Sequence, residues 1–368
     1  MAQGDAPVAR EVLHTIRAKP LLAKMNVDIV IPAFNEGSCI AGVLGDVVMA
    51  RQDDWLQIQN IYVISDASTD QTDDIVQGIA RRDRRVRSIR KQERKGKQDS
   101  INLAFSVISA DVVVFIDADV RLANKHSIAK LLHHFRDDET SLVQGGLVRA
   151  RPGFTLHPAK LAAHFDWILV DKIRRRKAIS WWSIDGRVMA LSRDFYRHLM
   201  LPCSLADDQF IFYSCIQQGR KYVWAEDAIF YYGPPESIAA FSHQWSRYFF
   251  YTKKSRQHFG EALICRDMSA PTLWRTIMSC LPRHPLYGLM WLIGFAISRV
   301  EFMLEVDFDR YERGFFRTKS SLLRTSSNMS LKRERRLPDI DSFGKSRVNT
   351  STGMICSRDS QEQGTGKG

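Results

Sequence analysis

Asp117 and Asp119, two residues apart at the end of the run VVVFIDADV, carry the most chemical information in this 368-residue chain. An apolar, β-branched run that delivers two carboxylates at its end is costly unless a cation neutralises them. Strand side chains alternate with period two, so an extended geometry puts both carboxylates on one side. Hard oxygen donors of this kind suit Mg²⁺ or Mn²⁺ carrying a diphosphate. The plainer alternative is a solvated strand end. Asp66 follows another apolar run in VISDASTDQT and can accept from the imide or amide of a base. It equally suits an Asx turn ahead of a helix. Asn35 and Glu36 follow PAF, in a loop leading to a helix N-terminus. Asp207 and Asp208 open ADDQFIFYSCI, where the helix dipole favours acids and where one of them can be a general base toward a hydroxyl. Adjacent helix positions diverge, so only one of the two is expected to face a cleft.

The elements that must hold these residues follow from pattern. VDIVIPAF from Val27, IYVI at Ile61–Ile64 and VVVFI at Val112–Ile116 read as buried strands. Helical spacing spans 36–49 and 73–82 between them. Strands alternating with helices predict a parallel α/β sheet, whose ligands bind beyond the carboxyl ends of the strands, where Asn35, Asp66 and Asp117 fall. Farther on, 142–149 and 188–192 read as strands, and 207–219 and 238–252 as helices.

Composition bounds the rest. At 45% hydrophobic and 26% charged residues the chain can bury a core, which excludes a disordered chain, a collagen or a coiled coil. Six scattered cysteines without CxxC exclude a disulfide scaffold or structural zinc site, and the N-terminus lacks a signal-peptide core. A reducing, cytoplasmic setting is the expectation. The net charge is +12, and residues 317–368 hold eleven Lys/Arg against five acids, so a basic, disordered tail is expected there. Two more basic blocks, Arg81–Lys97 and Lys172–Lys177 ahead of Trp181 and Trp182, read either as solvated faces or as contacts to anionic lipid. Pro285–Ser298 is apolar but interrupted by Arg299 and Glu301, which favours an interfacial helix over a single C-terminal transmembrane one. Together these predict a peripheral protein on the cytoplasmic face of a membrane.

VDIVIPAFNEG, VISDASTDQT, KGKQDSIN, VVFIDADV, DGRVMALSR and ADDQF, in this order and spacing, resemble a family 2 glycosyltransferase over roughly residues 27–250. The resemblance implies an α/β GT-A fold: a Rossmann-like, mostly parallel sheet flanked by helices, followed here by amphipathic helices and the tail. It implies an inverting, single-displacement transfer from a nucleotide-diphosphate sugar, with Mn²⁺ or Mg²⁺ as cofactor. Pro32, Ala33, Asn35 and Glu36 would line the nucleotide, Asp66 would contact the base, and Lys97 would sit near the donor. Asp117 and Asp119 match the metal and diphosphate motif, and Asp208 the catalytic base. Asp185, Asp207, Gln244 and Tyr248 fall on the acceptor side, with Arg247 toward the diphosphate. Two departures stand out. Ser65-Asp66-Ala67 replaces the family's two acids before Gly-Ser. Gln244-Trp-Ser-Arg247-Tyr248 replaces the Gln-x-x-Arg-Trp of polymer synthases, which, with at most one apolar segment, implies a non-processive enzyme.

The expected organisation is a lead-in over 1–24 and a catalytic domain over 25–255, divided near 120 into nucleotide and acceptor halves. A helical segment over 256–316 and the tail over 317–368 follow. The acceptor is expected to be a sugar or lipid-linked hydroxyl in cell-surface glycan or polysaccharide synthesis. UDP-sugars are favoured, since Asp66 can accept from the uracil imide, and GDP-sugars are the alternative. A nucleotidyltransferase is disfavoured because PAFNEG stands where a GxGxR loop would be. A nucleic-acid binder is disfavoured because acids at the strand ends repel a polyanion, so no specific nucleic-acid partner is expected.

Overall fold

Three apolar runs build the central strands of one sheet: β1 (Met25–Ala33), β2 (Leu56–Ser65) and β4 (Val112–Ile116). Apart from the exposed Gln57 and Gln59 at the start of β2, their side chains are largely buried on both faces, as expected for parallel strands covered by helices. The computed structural model describes residues 24–149, 156–176, 184–264 and 270–304, all within one compact unit, Met1–Thr325. The lead-in over 1–23, Trp181, Trp182 and the tail over 317–368 lie outside the described residues.

The sheet has eight strands in the order β3-β2-β1-β4-β7-β6-β8-β5, completed by β3 (Val86–Arg90), β5 (Arg121–Leu122), β6 (Thr140–Arg149), β7 (Val188–Ser192) and β8 (Lys221–Tyr232). β3, β2, β1 and β4 run parallel, and β7 joins β4 antiparallel, so the start of β7 lies beside the end of β4. The helices α1 (Ile40–Val48), α2 (Thr72–Ala80) and α3 (Lys97–Val107) follow β1, β2 and β3. Next come α4 (Ser127–His133), α5 (Pro158–Arg174), α6 (Arg193–Tyr196) and α7 (Asp207–Gln217). The chain continues with α8 (Ile238–Phe259), α9 (Glu261–Ile264), α10 (Ala270–Cys280) and α11 (Pro285–Met303). Two apolar clusters fill the two faces of the sheet, and a third joins α5, α8, α10 and α11 through Phe165, Phe241, Trp245 and Trp291.

Part of each basic block is used inside this fold. Lys91 pairs with Asp66 and Asp99, Arg90 with Asp73, Arg85 with Asp83, and Lys97 reaches the sheet edge. Lys172 bonds Ser279 and Arg176 bonds Thr276, which pins α10 to α5. Arg174 is buried and Arg175 pairs with Asp171 and Glu226. These paired residues act as struts, while Arg81, Arg82, Arg84, Arg87 and Lys95 of the first block stay exposed.

Candidate active site

The loops after β1 and β2 are zipped together where the strands end. Asn35 has a left-handed φ of 56°, which asparagine tolerates, and its Oδ1 accepts from the Thr69 N–H at 2.8 Å. Its own N–H donates to Ser68 Oγ at 3.1 Å, the Glu36 N–H to Thr72 Oγ1 at 2.8 Å, and the Gly37 N–H to Asp70 Oδ2 at 3.0 Å. The Ala33 carbonyl accepts from the Asp66 N–H at 2.8 Å, with Pro32 just before it on β1. These contacts make one rigid cradle, and Asn35 holds it through its side chain. Glu36 is pushed up to about 7 by burial, then by the nearby charge of Asp119.

Asp66 is buried and almost fully engaged. Its carboxylate accepts the Lys95 N–H at 2.9 Å and the Gly96 N–H at 2.8 Å, and it pairs with Lys91 at 2.6 Å. Gly96 has a φ of 94°, a conformation that favours glycine, and it caps α3. Asp66 thereby fixes the turn that presents Lys97, the first residue of that helix.

Lys97 is the hub of the site. Its ammonium lies 2.7 Å from Asp117 Oδ1, 2.9 Å from Asp207 Oδ2 and 3.3 Å from the Gly186 carbonyl. Burial opposes its charge, but the two carboxylates outweigh that and hold its pKa above the ordinary lysine value. Asp117 rises to about 6, chiefly because it is buried, although Lys97 pulls the other way.

Both members of the Asp207–Asp208 pair face this space, contrary to the expectation of one. Gly186 explains how: a β-carbon there would stand 3.0 Å from Asp208 Cβ and 3.2 Å from Asp207 Oδ2. Its N–H donates to Asp208 Oδ2 at 3.2 Å. Burial, then the charges of Asp207 and Asp185, push Asp208 up to about 7.

Arg187 was not singled out from the sequence, although it lies in DGRVMALSR. Its carbonyl accepts the Asp117 N–H at 2.9 Å, so it joins β7 to the end of β4. Its guanidinium pairs with Asp185 at 2.6 Å and lies 4.3 Å from the Tyr232 ring centroid. Burial opposes its charge, yet Asp185 and neighbours including Tyr248 and Asp119 hold its pKa well above the usual arginine value. Nothing in the sequence pattern marks it, because its place depends on the start of β7 meeting the end of β4. On α8, Gln244 Nε2 donates to the Tyr248 hydroxyl at 3.1 Å, and Tyr248 is pushed up to about 12 by burial. Arg247 lies close enough to Tyr248 to act on it electrostatically.

Among the described residues no three or more His, Cys, Asp or Glu side chains form a cage for a metal ion. Asp117, just past the end of β4, and Asp119, in the turn that follows, are instead two hard donors near enough for Asp119 to act on Asp117 electrostatically. That fits an ion that keeps its other positions for water and phosphate oxygens.

Residues 28–199 match the family model described as glycosyl transferase family 2. Over this stretch, just under half of its length, the chain is similar to the family 2 glycosyltransferases. That glycosyltransferase match covers β1 to β7 with Asp66, Lys97, Asp117, Asp119 and Asp185. Two glycosyltransferases are similar to it in sequence. An N-acetylglucosaminyltransferase of Rhizobium meliloti is 31% identical over 154 residues, which is 41% of this chain and 34% of the relative. Glycosyltransferase AglD of Haloferax volcanii is 26% identical over 125 residues, 33% of this chain and 20% of the relative. The chain thus spans about a third and a fifth of these relatives. Mannosyltransferase PcManGT from Pyrobaculum calidifontis, solved with GDP-Man and Mn²⁺, superposes with a TM-score of 0.55 at 16% identity, over 77% of this chain and 88% of that one. The fold is GT-A, as the motif order implied.

Proposed function

We propose that the protein is an inverting, non-processive, metal-dependent glycosyltransferase that moves one sugar from a nucleotide-diphosphate donor to an acceptor hydroxyl. The observation that carries this reading is the convergence around Gly186 and Lys97 of Asp117, Asp207 and Asp208 at the carboxyl edge of the sheet. The similarity to glycosyltransferases and the GDP-Man and Mn²⁺ of the mannosyltransferase support it.

In this reading the cradle of Pro32, Ala33, Asn35 and Glu36 holds the nucleoside. Asp66 serves the base mainly by shaping the turn at Lys95 and Gly96. Asp117 and Asp119 would hold Mn²⁺ or Mg²⁺, which when bound offsets charge on the diphosphate. Asp208 takes the proton of the acceptor hydroxyl, whose oxygen attacks the anomeric carbon. The bond from that carbon to the diphosphate breaks, and its electron pair leaves with the nucleotide. Lys97, Arg187 and Arg247 are the cations of this chain nearest that departing charge, and fixed cations in a water-poor site are effective there. Gln244 and Tyr248 flank Asp185 and Asp208 on the acceptor side.

UDP-sugars are the favoured donors and GDP-sugars the alternative. The acceptor is a sugar or lipid-linked hydroxyl used in surface glycan synthesis, met at a membrane on its cytoplasmic face. The test is donor turnover by wild type and Asp208→Asn, with the anomeric configuration of the product read by NMR. Inverted product from wild type alone, with nucleotide binding kept by Asp208→Asn, is the expected result. Retained configuration, or full turnover by the variant, would overturn the mechanism.

A further inference from the structure

The outward face of α11 is built without a polar residue. Leu286, Leu289, Ile293, Ile297, Val300 and Met303 are 38–66% exposed, and every other exposed position of the helix is also apolar. Scattered exposed leucines are ordinary, but an unbroken apolar stripe along five helical turns marks an interaction surface. α10 adds Trp274, 51% exposed, and Met278, 59% exposed.

The opposite face fixes the helix to the catalytic body. Gly288, Gly294 and Ser298 let it approach closely: a β-carbon at Gly294 would meet Phe241, and one at Gly288 would meet Leu281 and Phe165. Trp291 is fully buried and its indole N–H donates to Asp166 of α5 at 3.2 Å. Near the C-terminal end, Glu301 accepts the Ser242 and Ser246 hydroxyls of α8, each at 2.9 Å.

This packing decides how α11 could meet a membrane. The helix is 19 residues long, with a mean hydropathy of 1.3, enough by composition to cross a bilayer. Its fixed neighbours are not: α5 carries Lys160, Asp166 and Asp171, and α8 carries Lys253, Lys254 and Arg256. Crossing would draw these charges into hydrocarbon. Lying in the interface buries only the apolar stripe. Charge selects the lipid. Glu301 is the one acid of residues 270–304 and it is turned inward, whereas Arg275 and Arg283 are exposed. A tryptophan beside an arginine at the rim suits a headgroup layer.

We propose that α10 and α11 form a monotopic docking face, with the stripe of α11 lying in the plane of an anionic bilayer. Packed helix axes lie about 8–10 Å apart, and α8 is the layer between this face and Arg187 and Asp185, toward which it carries Tyr248. The transfer site then opens close to lipid headgroups, where a lipid-borne acceptor would present its hydroxyl. The docking stands by itself, and only the nature of the acceptor rests on the transferase reading.

The test is flotation of the full chain with vesicles of phosphatidylcholine, with and without phosphatidylglycerol. Wild type is expected to float with the anionic vesicles, and Leu289→Glu/Ile293→Glu to lower the partition coefficient roughly tenfold or more. Both substituted positions are exposed, and a thermal unfolding transition and far-UV circular dichroism spectrum like those of wild type check that the fold survives; Leu289→Ser/Ile293→Ser replaces the variant if it does not. Failure of wild type to float, or equal flotation of the folded variants, would overturn the proposal and in the latter case assign binding to another segment. Light scattering without lipid supplies the rival outcome. A stable dimer that the same substitutions dissociate would make this face a contact between two copies.

Discussion

As the proposed base, Asp208 must be ionised to take a proton, and burial beside Asp207 and Asp185 holds it up to about 7. The pH profile of kcat/KM should therefore rise on its acid side with an apparent pKa near 7. Asp207→Asn removes the larger of the two acidic charges and should move that limb to lower pH; an unmoved limb would mean that Asp208 is not the titrating group. The same shift has a cost in stability. The folded state keeps the proton up to about pH 7, while the unfolded chain releases it near pH 4. The native state thus loses stability as pH rises across that window. Asp208→Asn stays neutral, so its gain in melting temperature over wild type should widen from about pH 4 to pH 7. Its turnover should fall by about 10²-fold or more. A variant no more stable at pH 8 than at pH 4, relative to wild type, would contradict the burial that this role requires.

At the scale of elements, two positions carry the geometry. Ala67 sits at a φ of 57°, which costs an L-residue roughly 1–2 kcal/mol, in the turn that presents Asp66. Ala67→Gly should raise stability by about 1 kcal/mol in a denaturant titration, since relief of strain exceeds the glycine's greater unfolded freedom. A loss of stability would mean that this turn is not strained. Gly186→Ala would press a methyl group against both Asp207 and Asp208, so kcat should fall at least about tenfold with little change in stability. An active variant would place the acids farther from Gly186 than described. The sequence showed β4 and β7 residue for residue, because runs such as VVVFI have no competing pattern. It hid β3 and α3. In VRSIR the arginines of an edge strand disguise the alternation, and KQDSINLAFSV opens on polar residues whose partners, Asp117 and Asp207 for Lys97, are distant in the chain. The acidic set was legible because acids after apolar runs are costly and conspicuous. Lys97 as a hub, Arg187 and the glycine gap at 186 were not, because each depends on which strand ends meet.

Across the whole molecule, the sheet's carboxyl edge supplies Asp117, the first turn of α7 supplies Asp207 and Asp208, and α8, packed with α5, α10 and α11, supplies Gln244, Arg247 and Tyr248. α8 runs unbroken through residue 255, so the catalytic domain and the helical segment expected after it share one element. The positive charge has two destinations as well. Lys91, Lys97, Lys172 and Arg174 of the blocks at 81–97 and 172–176 are used inside the fold, whereas Arg275 and Arg283 are exposed beside the apolar stripe. If this edge binds a nucleoside diphosphate through Asp117 and Asp119 with a divalent ion, nucleotide should stabilise the fold only when the metal is present. Thermal unfolding with UDP, GDP, CDP or ADP, each with Mn²⁺, Mg²⁺ or EDTA, tests it most directly. A ligand at 100 times its Kd should add about 2.7 kcal/mol. One diphosphate, UDP before GDP, is expected to stabilise the protein only with metal, and the effect to be lost in Asp119→Ala. Stabilisation by none of them, or a shift indifferent to EDTA and to Asp119→Ala, would contradict it.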